Sequence, residues 1–246
     1  MRIVIGHLYP ELMNIYGDRG NVIALVRRCQ WRGLDVVVRE LRLGEPLDPD
    51  ECDVLFVGGG QDREQRLVCE DFARVKGESL REAVERGVAV LAICGGYQLM
   101  GHFYRDADGT ELPGLSIFDA YTVPGKGRLI GNIVVQSALP GREDATLVGF
   151  ENHGGRTYLG SGCQPLGRVR VGFGNNGEDG TEGAVYRNAF GTYLHGSVLP
   201  KNPWLADELV ERGVRRREPN FTLEPLDDAL EHLAHDAAAR RAARVR

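Results

Sequence analysis

What the chain lacks narrows it first. No apolar run approaches the ~18 residues that a membrane-spanning helix needs, and no basic start is followed by a long apolar core, so neither a span nor a signal peptide is expected. Positive charge is not in excess: 30 Lys and Arg stand against 35 Asp and Glu, a net charge of −5. That excludes the basic footprint on which nucleic-acid binding depends. Cysteine is sparse. Cys29, Cys52, Cys69, Cys94 and Cys163 are odd in number and scattered, with no C-x-x-C among them. This excludes a disulfide framework and a zinc pattern, and it fits a reducing compartment. A cytoplasmic protein without a metal of its own is expected. Glycine is what abounds: 33 of 246 residues, about 13% against an ordinary ~7%. These glycines have no period, so they read as many tight loops. At 27.1 kDa the chain can bury one good-sized core with a small lobe added.

Strand and helix alternate through the first hundred residues. Arg2 to Gly6 and Asp35 to Arg39 read as strands, as does Asp53 to Val57, which ends in Gly58-Gly59-Gly60. Residues 8 to 21 read as a loop with one helical turn, after which Asn21 is placed to cap a helix from Val22 to Trp31. A long polar helical segment, Asp62 to Arg86, follows. This alternation predicts an α/β fold: a mostly parallel central sheet with right-handed crossovers. From Gly109 to Asn188 the helical signals fade. Ser116 to Thr122, Asn132 to Gln136, Arg168 to Gly172 and Ala184 to Arg187 read as antiparallel strands extending the same sheet. Phe190 to Leu194 is one more apolar strand, and Asn202-Pro203 opens a helix. A last helix from Pro225 carries Leu226, Leu230, Leu233 and Ala237 on one face, and its two histidines, His232 and His235, are expected to be solvated. Residues 1–213 are expected to form the domain and 214–246 a C-terminal extension.

The chemistry gathers at Gly87 to Gly101. Val88 to Ile93 reads as a buried parallel strand that turns sharply at Cys94 into a helix, with Gly95 and Gly96 easing the turn. Such an elbow lifts one side chain above the carboxyl edge of the sheet, where open α/β sheets bind ligands. Here that side chain is a thiol. The helix N-terminus behind it favours thiolate, the nucleophilic form. A cysteine ending a core strand can equally be a small apolar residue, so a base decides the matter. His195 follows an apolar strand and is the best base. His153, in Glu151-Asn152-His153-Gly154-Gly155, is the rival, on what reads as a close-approaching loop. Oxyanion donors would be the N–H of Gly95 and one from Gly58-Gly59-Gly60, with Gly59 and Gly60 the candidates. That triple glycine is not a G-x-G-x-x-G and no G-K-[ST] follows it, which argues against nucleotide binding.

Ala92-Ile93-Cys94-Gly95-Gly96-Tyr97-Gln98 resembles the elbow of class I, triad-type, glutamine amidotransferases, with Ala92 where the family pattern has glycine. Glu151 to Thr157 and Gly191 to Gly196 resemble the branch that amidates cobyric acid. Tyr16 to Asn21, Gly149 to His153 and Gly127 to Asn132 are similar, within it, to the glutaminase subunits of lipid II isoglutaminyl synthases. The resemblance covers residues 1 to about 213 and implies a flavodoxin-like three-layer fold. It implies that Cys94 attacks the side-chain amide of L-glutamine, that His195 moves the proton, that Gln98 lines the pocket and that Arg128 grips the α-carboxylate. It further implies a heterodimer with a Mur-ligase-like (MurT-type) subunit, which would hold ATP and magnesium and amidate the D-glutamate of the lipid II stem peptide with the ammonia released here. One departure stands out. Most class I members carry His-x-Glu, and here Ser197 occupies the glutamate position. The resemblance then leaves a Cys94–His195 dyad, completed by a carboxylate from the partner or from elsewhere in this chain. Other readings of the same residues are an amidotransferase for cobyrinate-type synthesis, usually preceded in one chain by an ATP-dependent domain, and a scaffold that only binds a partner.

Overall fold

A computed structural model describes residues 1–244, so the last two positions of the 214–246 extension lie outside the described residues. β1 (Arg2–Leu8) runs through a 3-10 turn at Ile15–Gly17 into α1 (Arg19–Trp31), and β2 (Asp35–Leu41) follows. Then come β3 (Val54–Val57), α2 (Asp62–Asp71), α3 (Gly77–Glu85), β4 (Ala89–Ile93) and the short α4 (Gly95–Leu99). The expected helix over 62–86 is thus two helices joined by a π-helical turn at Phe72–Lys76. That turn brings Lys76 inside, where its Nζ donates to Asp71 Oδ2 at 2.7 Å and to the Arg42 carbonyl at 2.6 Å. A buried ammonium needs such partners.

The second half holds β5 (Phe103–Arg105), β6 (Glu111–Pro113), β7 (Ala120–Ser137), β8 (Thr146–Leu159), β9 (Gly167–Val171) and β10 (Thr181–Glu182). β11 (Ala184–Tyr186) and β12 (Ala189–Thr192) return to the first sheet, and α5 (Pro203–Arg215) and α6 (Ala229–Arg244) close the described chain. The first sheet has the order β11-β12-β4-β3-β1-β2 and is parallel except for β11, its antiparallel extension. Its central strands are apolar on both faces: every residue of β3 and β4 has no exposed surface, as strands covered by helices on both sides require.

Three of the four antiparallel segments do not extend that sheet. β7 absorbs two of them, β9 is the third, and with β5, β6, β8 and β10 they build a second sheet. The reason is edge supply: β12 already has β4 on one side and β11 on the other. The long β7–β8 hairpin pairs with itself instead, in antiparallel register from Ala120↔Leu159 to Gln136↔Thr146, with a break between Pro124 and Leu129.

Two helix ends also differ from expectation. α1 starts at Arg19, not Val22, and Asn21 does not cap it: the buried Asn21 Oδ1 accepts the Leu199 N–H at 2.9 Å. α6 starts at Ala229 and turns its leucines outward, with Leu230 74% and Leu233 63% exposed. Its inner face is Ala238, Ala239 and the buried Ala242, packed against β7 and β8. Small residues let the helix lie close to the sheet. His235, expected in solvent, bonds Thr146 Oγ1 and the Lys201 carbonyl, both at 2.8 Å, and Arg28 clamps both Asp207 and Asp228. Polar anchoring, rather than a leucine face, sets how this helix sits.

Candidate active site

β4 delivers Cys94 to the carboxyl edge of the sheet at φ +48°, ψ −103°. A side chain other than glycine in that region is strained, as nucleophile elbows are. The strain therefore lies on the cysteine itself, and the glycines after it serve another purpose. A Cβ on Gly96 would meet the Gly58 carbonyl at 2.8 Å and Val57 at 2.9 Å; one on Gly95 would meet the Gly60 nitrogen at 3.0 Å. The loops after β3 and β4 lie against each other, and glycine permits it. α4 has only five residues, so its dipole adds little to the thiolate.

Cys94 is one wall of a cavity of about 520 Å³, lined also by Tyr16, Gly60, Gln65, Gln98, Arg128 and His153. β12, parallel to and paired with β4, carries His195 to the same edge, and the Cys94 N–H donates to the Thr192 carbonyl at 2.8 Å. His195 has no exposed surface. Burial alone would lower its pKa, but the Cys94 sulfur and the Asp18 carboxylate reverse this and raise it to about 10. His195 Nδ1 lies 3.4 Å from Asp18 Oδ1, and Nε2 has no hydrogen-bond partner among the described residues. Nε2 is thus the ring nitrogen left for Cys94. His153, the rival base, differs on each count. It lies on β8, a strand rather than a loop, and its ring stacks on Tyr193 at 3.6 Å between centroids. Its Nδ1 donates to the Gly155 carbonyl, and burial lowers its pKa to about 4. It would not take up a proton near neutrality.

Asp18 was not singled out from sequence. It sits between the 3-10 turn and α1, fully buried, and makes no capping bond. Its Oδ2 accepts the Gly59 N–H at 2.8 Å while Oδ1 faces His195. Two consequences follow. A carboxylate of this chain stands at the histidine, where the sequence offered only Ser197. Ser197 itself turns away and donates to the Gly17 carbonyl at 2.8 Å, tying down the loop that bears Asp18. Gly59, expected to donate to an oxyanion, has its N–H committed to Asp18 and is unavailable. Gly60 and Gly95 have no acceptor for their N–H groups among the described residues and lie side by side next to Cys94.

Arg128 lies on β7 at the break in register, at the cavity rim. Its Nε donates to Asn152 Oδ1 at 2.7 Å and its Nη2 to the Asn152 carbonyl at 2.8 Å. Asn152 in turn donates to the Tyr16 hydroxyl at 2.6 Å, and the Tyr16 ring stands edge-on over His195 at 4.9 Å. Gln98 forms the floor. It accepts from Gln65 Nε2 at 2.8 Å and donates to the Tyr193 hydroxyl at 3.1 Å, which pairs with Thr157 at 2.6 Å. The cavity therefore offers an exposed cation at its mouth and a polar amide floor beside the sulfur. No group of three or more His, Cys, Asp or Glu side chains is placed to hold a metal among the described residues.

Comparison with known proteins agrees with this layout. Residues 4–203 match the family described as the CobB/CobQ-like glutamine amidotransferase domain. The chain is 45% identical over 242 residues to the lipid II isoglutaminyl synthase (glutamine-hydrolyzing) subunit GatD of Staphylococcus aureus (strain N315), covering 98% of this chain and 97% of that protein. It is 41% identical over 214 residues to the subunit of the same name from Streptococcus pneumoniae (strain ATCC BAA-255 / R6), covering 87% and 81%. Among solved structures, the glutaminase domain of Trypanosoma brucei CTPS with bound acivicin superposes with a TM-score of 0.55 over 90% of this chain and 96% of that one, at 12% identity; this is a likeness of fold. An elbow cysteine beside a strand-end histidine on such a sheet, with identity of this extent, leaves one assignment: the chain belongs to the CobB/CobQ-like glutamine amidotransferases.

Proposed function

We propose that this chain is the glutaminase subunit of a lipid II isoglutaminyl synthase. The observation that carries the reading is Cys94, strained at the elbow and open to a cavity, beside a buried His195 whose pKa is raised to about 10. Cys94, as thiolate, attacks the side-chain carbonyl carbon of L-glutamine. The developing oxyanion meets the N–H groups of Gly95 and Gly60. Protonated His195 gives its Nε2 proton to the departing amide nitrogen, and ammonia leaves. A γ-glutamyl thioester remains. Water, deprotonated by the now neutral His195, attacks it, and glutamate leaves as the thiolate reforms. Asp18 holds the ring by Nδ1 and supports its positive charge. Arg128 pairs with the α-carboxylate through a guanidinium that Asn152 already orients. Gln98 lines the amide end.

The ammonia passes to a Mur-ligase-like, MurT-type subunit that forms a heterodimer with this chain in the cytoplasm. That subunit binds ATP and magnesium and converts the D-glutamate of the lipid II stem peptide to D-isoglutamine. This chain needs no cofactor and meets lipid II only through its partner. The test is glutamate release from L-glutamine by the purified chain, alone and co-expressed with such a partner. Release that Cys94→Ser abolishes supports the reading. No release in either form means that the chain is a binding scaffold.

A further inference from the structure

Glu182 takes no part in the chemistry above, yet it is bound to the backbone that carries both reacting groups. It lies on β10, in the second sheet, with no exposed surface. Its Oε1 reaches across to the first sheet, accepting the Thr192 hydroxyl at 2.6 Å and the Tyr193 N–H at 2.7 Å. The same Thr192 holds the Cys94 N–H through its carbonyl at 2.8 Å. Thr192 Oγ1 also accepts the Leu194 N–H at 3.1 Å. Three positions on from Thr192, His195 is fixed by a two-way backbone bridge to Phe150, at 2.7 and 3.3 Å. One carboxylate oxygen therefore sits at the point where the strand end of the imidazole and the elbow of the thiol share a residue.

The segment that presents Glu182 is built for close approach. Gly183 adopts φ +67°, and a Cβ there would meet the Gly191 carbonyl at 2.4 Å. Asn175 closes the turn, accepting the Gly183 N–H at 2.9 Å and donating to the Gly183 carbonyl at 3.0 Å. Glu182 Oε2, by contrast, has no partner although it is buried. Leaving a buried oxygen unpaired is costly. Unpaired buried groups of this kind call for an explanation.

We infer that Glu182 is a positioning residue for the proposed glutaminase reaction: its Oε1, bridging the two sheets, sets the separation of Cys94 and His195. The inference rests on the glutaminase reading and is tested so that the two can fail separately. The full chain is assayed for L-glutamine hydrolysis, and Cys94 is followed by its rate of alkylation by iodoacetamide, read by mass at that peptide. Displacing a reacting group by about 1 Å costs up to about a hundredfold in rate. Glu182→Ala is therefore expected to lower kcat by about tenfold or more and to change Cys94 alkylation, with KM for glutamine within about twofold. Glu182→Gln keeps the accepting oxygen and is expected to restore kcat to within about threefold of wild type. Thr192→Val, which leaves the side-chain volume but removes one of the two bonds to Glu182 together with the acceptor of the Leu194 N–H, is expected to fall between them and guards against a Glu182→Ala chain that does not fold. Wild-type kcat in Glu182→Ala or Thr192→Val overturns the inference, as does a Glu182→Gln chain that loses as much as Glu182→Ala. A wild-type chain that hydrolyses no glutamine either alone or co-expressed with its partner, while Glu182→Ala still alters Cys94 alkylation, overturns the glutaminase reading and leaves the positioning role standing.

Discussion

Asp18→Asn isolates what a carboxylate contributes at the back of the histidine. The substitution keeps the shape of the side chain and an oxygen that can still accept the Gly59 N–H, but removes the charge 3.4 Å from His195 Nδ1. A hydrogen bond to a charged group contributes about 1.5–3 kcal/mol. At 3.4 Å this contact is longer than the 2.7–2.9 Å usual for a charge-assisted pair, so the lower half of that range applies, about 2 kcal/mol. In the proposed reaction the imidazole is positively charged when it delivers its proton to the leaving nitrogen, so the loss falls on the transition state. At about 1.4 kcal/mol per factor of ten, kcat drops roughly thirtyfold. Asp18 does not line the cavity, so KM for glutamine should be unchanged. The His195 pKa, raised in part by Asp18, should fall, moving the alkaline limit of kcat to lower pH. Asp18→Ala should cost more, because it also strands the buried Gly59 N–H, at about 1–3 kcal/mol of folding stability. Steady-state glutamate release across pH 6 to 10, with urea melts of each variant, separates the two costs. A kcat for Asp18→Asn within about threefold of wild type would refute the reasoning and reduce Asp18 to an anchor for the loop.

Arg128→Ala should raise KM for glutamine by about a hundredfold, the loss of some 2–3 kcal/mol of charge-assisted bonding, while alkylation of Cys94 by iodoacetamide, which has no α-carboxylate, stays unchanged. Gly96→Ala forces a Cβ to within 2.8 Å of the Gly58 carbonyl, so urea melts should show a loss of about 1–3 kcal/mol. Leu230→Glu with Leu233→Glu, on the exposed face of α6, should change stability by no more than about 0.5 kcal/mol, the ordinary range for surface positions; a large loss would mean that these leucines are buried. The pH dependence of stability carries a fourth expectation. Glu151 and Glu182, raised to about 7 chiefly by burial, keep protons that the unfolded chain releases near its ordinary 4.5, so each makes stability fall as pH rises between those values. His7 and His153, lowered to about 4 by burial, do the reverse between 4 and 6.5. The two pairs oppose one another in wild type, and Glu182→Gln removes one falling contribution; the unfolding free energy should then gain about 1.4 kcal/mol per pH unit of upward slope between about pH 4.5 and 7, read by urea melts.

The parts of the site visible in sequence are those carried by short local patterns. The elbow shows because a buried parallel strand must be apolar on both faces and must stop where Cys94-Gly95-Gly96 turns; His195 shows because it ends the next apolar strand of the same kind. The parts that stayed hidden depend on contacts between distant segments. Asp18 reads as one acid in an irregular loop, and only the fold brings it to His195, 177 positions away. Gly59 looked free for the same reason in reverse, since its N–H is claimed by that acid. Gly95 and Gly96 were legible as necessary but for the wrong cause: their spacing suggests a conformational need, whereas the neighbours they would strike, Gly60 and Gly58, belong to another strand's loop.

The second sheet follows the same rule. Alternating apolar residues mark β7 and β9 as strands, but whether they join the first sheet depends on which edges are free, and a two-strand return by β11 and β12 had taken the edge beside β4. On α6 the leucine spacing suggested an inward face, yet three alanines and the His235 and Asp228 bonds outweigh it, because a helix held at its start and its middle by polar contacts need not bury its largest side chains. That arrangement bears on the histidine as well. Arg28 on α1 ties both Asp207 on α5 and Asp228 beside α6, and α1 is the helix that begins directly after Asp18. Asp18 directly precedes the helix that fastens the C-terminal segment, so removing residues after 213, which takes away Asp228 and leaves Asp207 on Arg28, should lower both stability and glutamate release, read by urea melts and a steady-state assay.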